Sequence, residues 1–279
     1  MRSAALPAYL TVPRLSKIPW LIHGFGLKRF ALAHIETQPE GRKSSVVWMK
    51  QAHSRALHFI ERPVDRRLHG DALATSLPGF FLVIKTADCL PVFLVDESKR
   101  VVAAVHCGWR GTGLRILEHV VLGLRERYGC EPAALLAASG PCIGSGCYEV
   151  GEDVRQAFRE ANLPLRVFRR EPGRAGKYLL DLREANRRQL LEAGLRPKNI
   201  FDVTPCTHCD LNFHSYRRDK SAAGRLFNFI GIRGIERELS SRGAKRRGDL
   251  QNKISSPRLH CFDGPHVAKP PRDDMSISD

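Results

Sequence analysis

A single domain built from both β-strands and helices is what the residue pattern predicts, and three stretches carry that expectation. Phe80-Phe81-Leu82-Val83-Ile84 is a continuous apolar run, as expected of a strand buried on both faces. Val92–Val95 and Val101–Val105 flank the polar turn Asp96-Glu97-Ser98-Lys99-Arg100 and read as a hairpin. Leu114, Leu117, Val121 and Leu124 recur at helical spacing until Gly129 stops them. With 279 residues, 43% of them hydrophobic, the chain can bury a sizeable core. We divide it into an N-terminal arm (1–22), one domain (23–232) and a polar, basic, disordered tail (233–279).

Taken in order, Pro7, Pro13 and Pro19 break up the arm, and His23-Gly24-Phe25-Gly26 reads as a loop. Val46-Val47-Trp48-Met49 predicts a strand that ends near His53, and Leu57–Ile60 a second short one. The first of the three leading runs extends over Phe80–Thr86. Thr86-Ala87-Asp88-Cys89 then interrupts the apolar pattern, and Pro91 removes a ladder donor. Thr112 is placed to cap the helix that ends at Gly129. Ala133–Ala138 predicts a strand, 151–162 an amphipathic helix, and Arg169–Gly176 a basic flexible segment. Tyr178–Leu182 leads into a helix over Arg183–Ala193, closed by Gly194. Ile200–Val203 and Leu226–Ile232 predict the last strands, and a short helical piece is expected at Ile235–Ser240.

The formal charge is +16, and the 10 basic and 7 acidic residues of 233–279 leave 35 basic and 22 acidic on 1–232. That excess suits an anionic partner, but its arginines are scattered, which favours a small anionic substrate over a nucleic-acid groove. No run approaches the roughly 18 apolar residues that span a bilayer, and no apolar leader segment opens the sequence. A reducing cytoplasm is therefore expected, with the eight cysteines free, metal-bound or catalytic.

Chemistry gathers where the strand patterns stop. His53, Cys89 and His106 each follow a predicted strand, and we expect the three to meet in space. Singly, each has an ordinary reading: a capping histidine, a buried small hydrophobe. Together, two imidazoles and a thiolate make a three-ligand set with a fourth position open, the pattern of a catalytic zinc site. Asp71 either closes a turn or hydrogen-bonds a ligand hydroxyl or a metal-bound histidine. In the glycine-rich stretch 106–113, Trp109 is suited to wall a pocket and Arg110 to grip phosphate or carboxylate. Cys206-Thr207-His208-Cys209 resembles half a zinc site, but no second pair stands at finger spacing, so it reads as a redox-sensitive loop of thiols near the site.

These residues resemble the YfiH family, also called the laccase-domain or multicopper polyphenol oxidase-like family. The motifs are His69-Gly70-Asp71-Ala72-Leu73, Thr86-Ala87-Asp88-Cys89-Leu90-Pro91-Val92, Ala104-Val105-His106-Cys107-Gly108-Trp109-Arg110-Gly111, Gly140-Pro141-Cys142-Ile143-Gly144, Cys147-Tyr148-Glu149-Val150-Gly151, Leu180-Asp181-Leu182, Cys206-Thr207-His208-Cys209 and Ser215-Tyr216-Arg217-Arg218-Asp219. The likeness spans roughly residues 20–232. It departs from the family pattern at Ala52, Ser54, Cys107, His214 and the 26–29 loop.

The resemblance implies an α+β fold of mixed β-sheets flanked by helices, related to cysteine hydrolases. It also implies a zinc-dependent purine nucleoside phosphorylase acting on adenosine, inosine, guanosine and S-methyl-5'-thioadenosine, with adenosine deaminase activity. Carried over by motif, the metal ligands are His53, Cys89 and His106, holding Zn2+ with Cu2+ as the alternative. Beside them we place Arg110 and Arg217 on phosphate or the departing base, and Asp71, Asp88 and Tyr148 on ribose or a proton. The expected partners are a purine nucleoside and phosphate, with no membrane, no nucleic acid and a monomeric chain. The alternatives are a cysteine hydrolase with Cys89 as nucleophile and His106 as base, a polyphenol oxidase or peptidoglycan-editing role, and a nucleic-acid-binding protein. True multicopper oxidases need His-x-His pairs, and none of the 11 histidines forms one.

Overall fold

The computed structural model describes residues 8–36, 45–64, 68–171 and 173–234. The tail from 235 onward, with the helical piece expected at Ile235–Ser240, lies outside the described residues. So does most of the 38–45 segment.

Two large sheets form the body. One has the order β1-β2-β14-β6-β3, from Tyr9–Leu10 (β1), Leu21–Gly26 (β2), Ser45–Val47 (β3), Phe80–Thr86 (β6) and Leu226–Ile232 (β14). The other has the order β13-β9-β7-β8-β5-β4, from Leu57–Phe59 (β4), Ala72–Thr75 (β5), Leu90–Asp96 (β7), Val101–Cys107 (β8), Leu136–Ser139 (β9) and Ile200–Asp202 (β13). A small third sheet joins Glu149–Gly151 (β10), Phe168–Arg170 (β11) and Lys177–Leu180 (β12). β3–β6, β4–β5 and β13–β9 are parallel and the other pairs antiparallel, so the fold is α+β with mixed sheets, as expected.

The side-chain period of two explains why the central strands read as unbroken apolar runs. On β7 and β8, Phe93, Val95, Val102 and Ala104 face the five-stranded sheet, packing with Leu82, Ile84 and Ile230. Their neighbours Val92, Leu94, Ala103 and Val105 face the other way, onto helices. The long helices are Ile116–Tyr128 (α4), Glu152–Glu160 (α5) and Leu182–Glu192 (α6), and the short ones Pro13–Ser16 (α1), Ala33–Glu36 (α2), Trp109–Gly113 (α3) and Tyr216–Asp219 (α7). Both faces of the six-stranded sheet are thus dry. Between the sheets the rings of Phe25 and Phe93 stack at 4.6 Å and 6°, both fully buried. Each such ring contributes about 1.5–3 kcal/mol of burial.

Four local expectations need correction. His23–Gly26 is not a loop but the end of β2. Gly24 is there because aromatic rings cover the strand, a Cβ on it standing 2.6 Å from Phe229 and Tyr9, and Gly26 because a Cβ would run into the backbone carbonyl of Phe227. Thr112 does not cap the long helix. It lies inside α3, where its hydroxyl donates to the Gly108 carbonyl and accepts from Asn186, while Arg115, left-handed at φ 56°, occupies the cap of α4. Leu114 is accordingly exposed, whereas Leu117, Val121 and Leu124 are buried as their spacing requires. The strand expected over Ala133–Ala138 is shifted to Leu136–Ser139 because Pro132 opens a 3-10 turn, and Phe168–Arg170 forms β11 at the start of the segment read as flexible.

Three further differences are that β3 ends at Val47, so that His53 lies on a turn beyond it, that the arm read as irregular holds β1, α1 and the start of β2, and that β5 had no counterpart in the pattern. Several other elements match the pattern. β6 and β14 have the expected bounds, β7 and β8 form the hairpin, and Gly129 at φ 65° ends α4 in the left-handed conformation. Asp96 builds the hairpin turn by accepting from the backbone N–H groups of Ser98 and Lys99. Tyr178–Leu180 leads into α6, with Asp181 accepting from the Glu184 N–H as its N-cap.

Candidate active site

β6 ends in one sheet and β7 begins in the other, and the crossing Ala87-Asp88-Cys89 puts Cys89 at the mouth between them. Asp88 takes the turn at φ 95°, a conformation costly for a residue with a side chain. β8 delivers His106 from beside Pro91, its partner in the ladder. His53 comes from the turn after β3, itself left-handed at φ 55°. The donor atoms of His53, Cys89 and His106 all lie within 4.8 Å of one another, and the two imidazole rings are 5.0 Å apart, edge to face.

Asp71 organises this trio. Fully buried at the start of β5, its Oδ1 meets Nδ1 of His106 at 2.8 Å. The same carboxylate accepts the backbone N–H groups of Ala52, His53 and Ser54 at 3.2, 3.1 and 2.6 Å, and the Ser54 hydroxyl at 2.8 Å. One side chain therefore orients one histidine directly and fixes the turn that carries the other. Of the two readings of Asp71, the structure supports the hydrogen bond to a candidate metal-ligating histidine. Burial works to raise its carboxyl, and His106 and Ser54 overcome that, so it stays below the usual carboxylate range.

Electrostatics couple the same groups. Burial opposes a charge on Cys89, yet His106 and His53 bring its thiol down to about 6. Burial likewise opposes a charge on His106, and Cys89 with Asp71 raises it to about 9. The pair is polarised toward thiolate and imidazolium. Gly108 makes room for it: a Cβ there would stand 2.9 Å from the His53 ring and 3.1 Å from the Cys89 sulfur.

Around the trio stand the other residues singled out in the sequence. Tyr148 is pushed upward by burial and by the negative charges of Cys89 and Asp88, against Arg217 and Arg110, so all five lie within electrostatic reach. The Arg217 guanidinium sits 5.3 Å from the Tyr148 ring centre, and the exposed Arg110 folds 4.4 Å over Trp109. Asp88 is engaged by the protein itself: its oxygens accept the Thr207 hydroxyl and the Arg217 backbone N–H, both at 2.6 Å. It ties the loop bearing Arg217 to the strand crossing that bears Cys89.

Two arginines escaped the sequence reading. Arg183 donates to the carbonyls of Gly140 and Val203, and Arg218 to those of Thr207, His208 and Phe213, so each clamps a loop at the rim of the site. Their only sequence signal was membership of the Leu180–Leu182 and Ser215–Asp219 neighbourhoods. The thiols of Cys147 and Cys209 approach to 3.3 Å, and with His208 they form the second close group of His, Cys, Asp or Glu among the described residues. No helix among the described residues is long and apolar enough to cross a membrane.

Known proteins resemble the chain along most of this architecture. An adenosine deaminase, RL5, from an unknown prokaryotic organism is 41% identical over 63% of this chain and 67% of its own length. A purine nucleoside phosphorylase of Deinococcus radiodurans is 39% identical over 68% of this chain and 69% of its own. The crystal structure of Bacillus licheniformis hypothetical protein YfiH superposes with a TM-score of 0.74 at 29% identity, covering 82% of this chain and 98% of that one. Residues 31–233 match the model of the multi-copper polyphenol oxidoreductase laccase family. With that match over most of its length, the strand-borne trio and the neighbouring folds, the chain belongs to this laccase-domain family, the family of the YfiH proteins.

Proposed function

We propose that the protein is a zinc-dependent purine nucleoside phosphorylase, acting on adenosine, inosine, guanosine and S-methyl-5'-thioadenosine, that also deaminates adenosine. The observation that carries this reading is the meeting of His53, Cys89 and His106 with Asp71 behind them and Tyr148, Arg217 and Arg110 around them. The names of the two relatives supply the reaction class. Two imidazoles and one polarised thiol suit zinc in a site with an open position. The hydrogen bond from a ligating histidine to a carboxylate is the usual support of such sites. Bound there, the ion supplies Lewis-acid polarisation of a substrate or water oxygen.

The chain's own groups do the rest. Arg217 and Arg110 present guanidinium forks to phosphate, in the geometry that matches its oxygens. In phosphorolysis a phosphate oxygen bonds to C1' of the ribose as the glycosidic C–N bond breaks, and the electron pair leaves with the purine, which takes up a proton. Tyr148 offers its hydroxyl to the ribose or to that proton transfer. In deamination, water adds at C6 of the purine and ammonia departs. Asp71 is a positioning residue, acting through His106 and the His53 turn.

A metal-analysed sample incubated with adenosine, with and without phosphate, tests the proposal. Adenine and ribose 1-phosphate should form only with phosphate, and inosine without it. Protein that holds zinc and yields neither product would overturn it, and copper in place of zinc would overturn the choice of metal.

The adjacency of Cys89 and His106 favours one other reading, a cysteine hydrolase. That enzyme would act metal-free and be silenced by alkylation of Cys89. Turnover that needs the metal rules it out.

A further inference from the structure

Away from the first trio, three sulfur and nitrogen donors come together where two loops meet, with a fourth, Cys206, beside them. Cys147 ends the loop that follows β9, and Cys206, His208 and Cys209 belong to the loop after β13. Donor atoms of Cys147, His208 and Cys209 lie within 4.8 Å of one another, with Cys147 and Cys209 sulfurs at the non-bonded separation of 3.3 Å. Cys206, three residues before Cys209, lies within electrostatic reach of both of those sulfurs but outside the mutual 4.8 Å of the group.

We propose that Cys147, Cys206, His208 and Cys209 form a second, structural zinc site. Three features favour an ion over a chance gathering of thiols. The donor set can close: with Cys206 drawn in beside Cys147, His208 and Cys209, three sulfurs and one imidazole would complete a tetrahedral coordination and leave no open position, unlike the first trio. The Cys206 sulfur accepts the backbone N–H of Gly144 at 3.1 Å, which fixes it between the two loops. The backbone is also braced. Thr207 N–H donates to the Cys142 carbonyl at 3.0 Å across the bridge between Cys142 and Cys206, while Arg218 holds the carbonyls of Thr207 and His208. Cys209 is exposed and Cys147 half-buried, so an ion has a way in.

Such a site would staple together the segments that bear Tyr148 and Arg217. The sequence hides it because C-x-x-C supplies only half of the ligands and Cys147 lies 59 residues before Cys206.

The test is zinc content of the full chain, kept in a thiol reductant, exposed to Zn2+ and then desalted. Cys89→Ala removes the first site, and that variant should still retain an equivalent of zinc. Adding Cys147→Ser or Cys209→Ser to it should abolish that equivalent. Alkylation mapping of the unmutated chain provides a check that needs no folded variant: zinc should shield Cys147, Cys206 and Cys209, and a chelator should expose them. Absence of zinc from Cys89→Ala would overturn the proposal. So would zinc that survives both serine changes, thiols alkylated equally with and without zinc, or a Cys147–Cys209 disulfide that persists in reductant without bound metal. Because the counting begins in the Cys89→Ala background, failure of the first site leaves the result readable.

Discussion

The two clusters of metal-capable side chains differ in what holds them. His53, Cys89 and His106 stand at strand ends and on a turn pinned by one buried carboxylate, Asp71. Cys147, Cys206, His208 and Cys209 stand on two loops, held by backbone N–H groups and by the Arg218 clamp. The first is organised by the sheets before anything binds and leaves a coordination position free. The second has no long strand behind it, only a single bridge and the Arg218 clamp, and the ion would complete its fastening. Strands supply a site for chemistry, and loops supply a fastening.

The sharpest way to break this contrast is Cys89→Ala, which should cost all turnover and the first equivalent of zinc while leaving the second. Elemental analysis beside product chromatography reads both, and active Cys89→Ala protein would refute the catalytic assignment. Next comes Asp71→Asn. A carboxylate behind a ligating histidine is worth about 10–100-fold in metal affinity or activity, so kcat should fall on that scale. Zinc at Cys147 and Cys209 should not change. An unaltered Asp71→Asn enzyme would mean that the sheets alone orient His106.

Asp88→Asn should act between the regions. Its amide cannot accept from both the Thr207 hydroxyl and the Arg217 N–H as the carboxylate does, and an unsatisfied buried group costs about 1–3 kcal/mol. We expect the KM for phosphate to rise more than kcat falls, with the first zinc retained. An unchanged KM would remove Arg217 from the phosphate site.

The effect smallest on turnover at neutral pH concerns the scaffold of the first cluster. His23 on β2 is buried, its Nε2 accepts the Val12 N–H at 2.9 Å, and burial lowers it to about 4 from 6.5. The unfolded chain binds this proton more readily than the folded one. Stability is therefore whole above pH 6.5 and declines as pH falls toward 4, by about 3 kcal/mol in all. His23→Gln should flatten that acid slope in denaturant titrations, and a slope unaltered by the change would place the acid sensitivity elsewhere.

Strand content was legible where β-branched and aromatic residues run on without a break, as in Phe80–Ile84, and not in β5, which is fully buried over Ala72–Thr75 but short and alanine-rich. β2 was not legible either, since Gly24 and Gly26 look like turn residues until the rings of Phe229 and Tyr9 are seen on the first and the Phe227 carbonyl against the second. The capping of α4 failed for a related reason. Thr112 has the right chemistry for a cap, but an intervening one-turn helix and the contact with Asn186, 74 residues away, claim it instead.

By itself the sequence determined the central hairpin, β6, β14, the end of α4 at Gly129 and the candidate ligands His53, Cys89 and His106, because periodicity and residue chemistry are local properties. Only the tertiary structure decided that Asp71 serves two histidines at once, that Asp88 spends its carboxylate on neighbouring loops, and that Cys147 meets Cys209. Those are contacts between residues 17 to 129 positions apart. No local pattern specifies such pairs: they arise when two sheets pack face to face and bring the loops at their edges together.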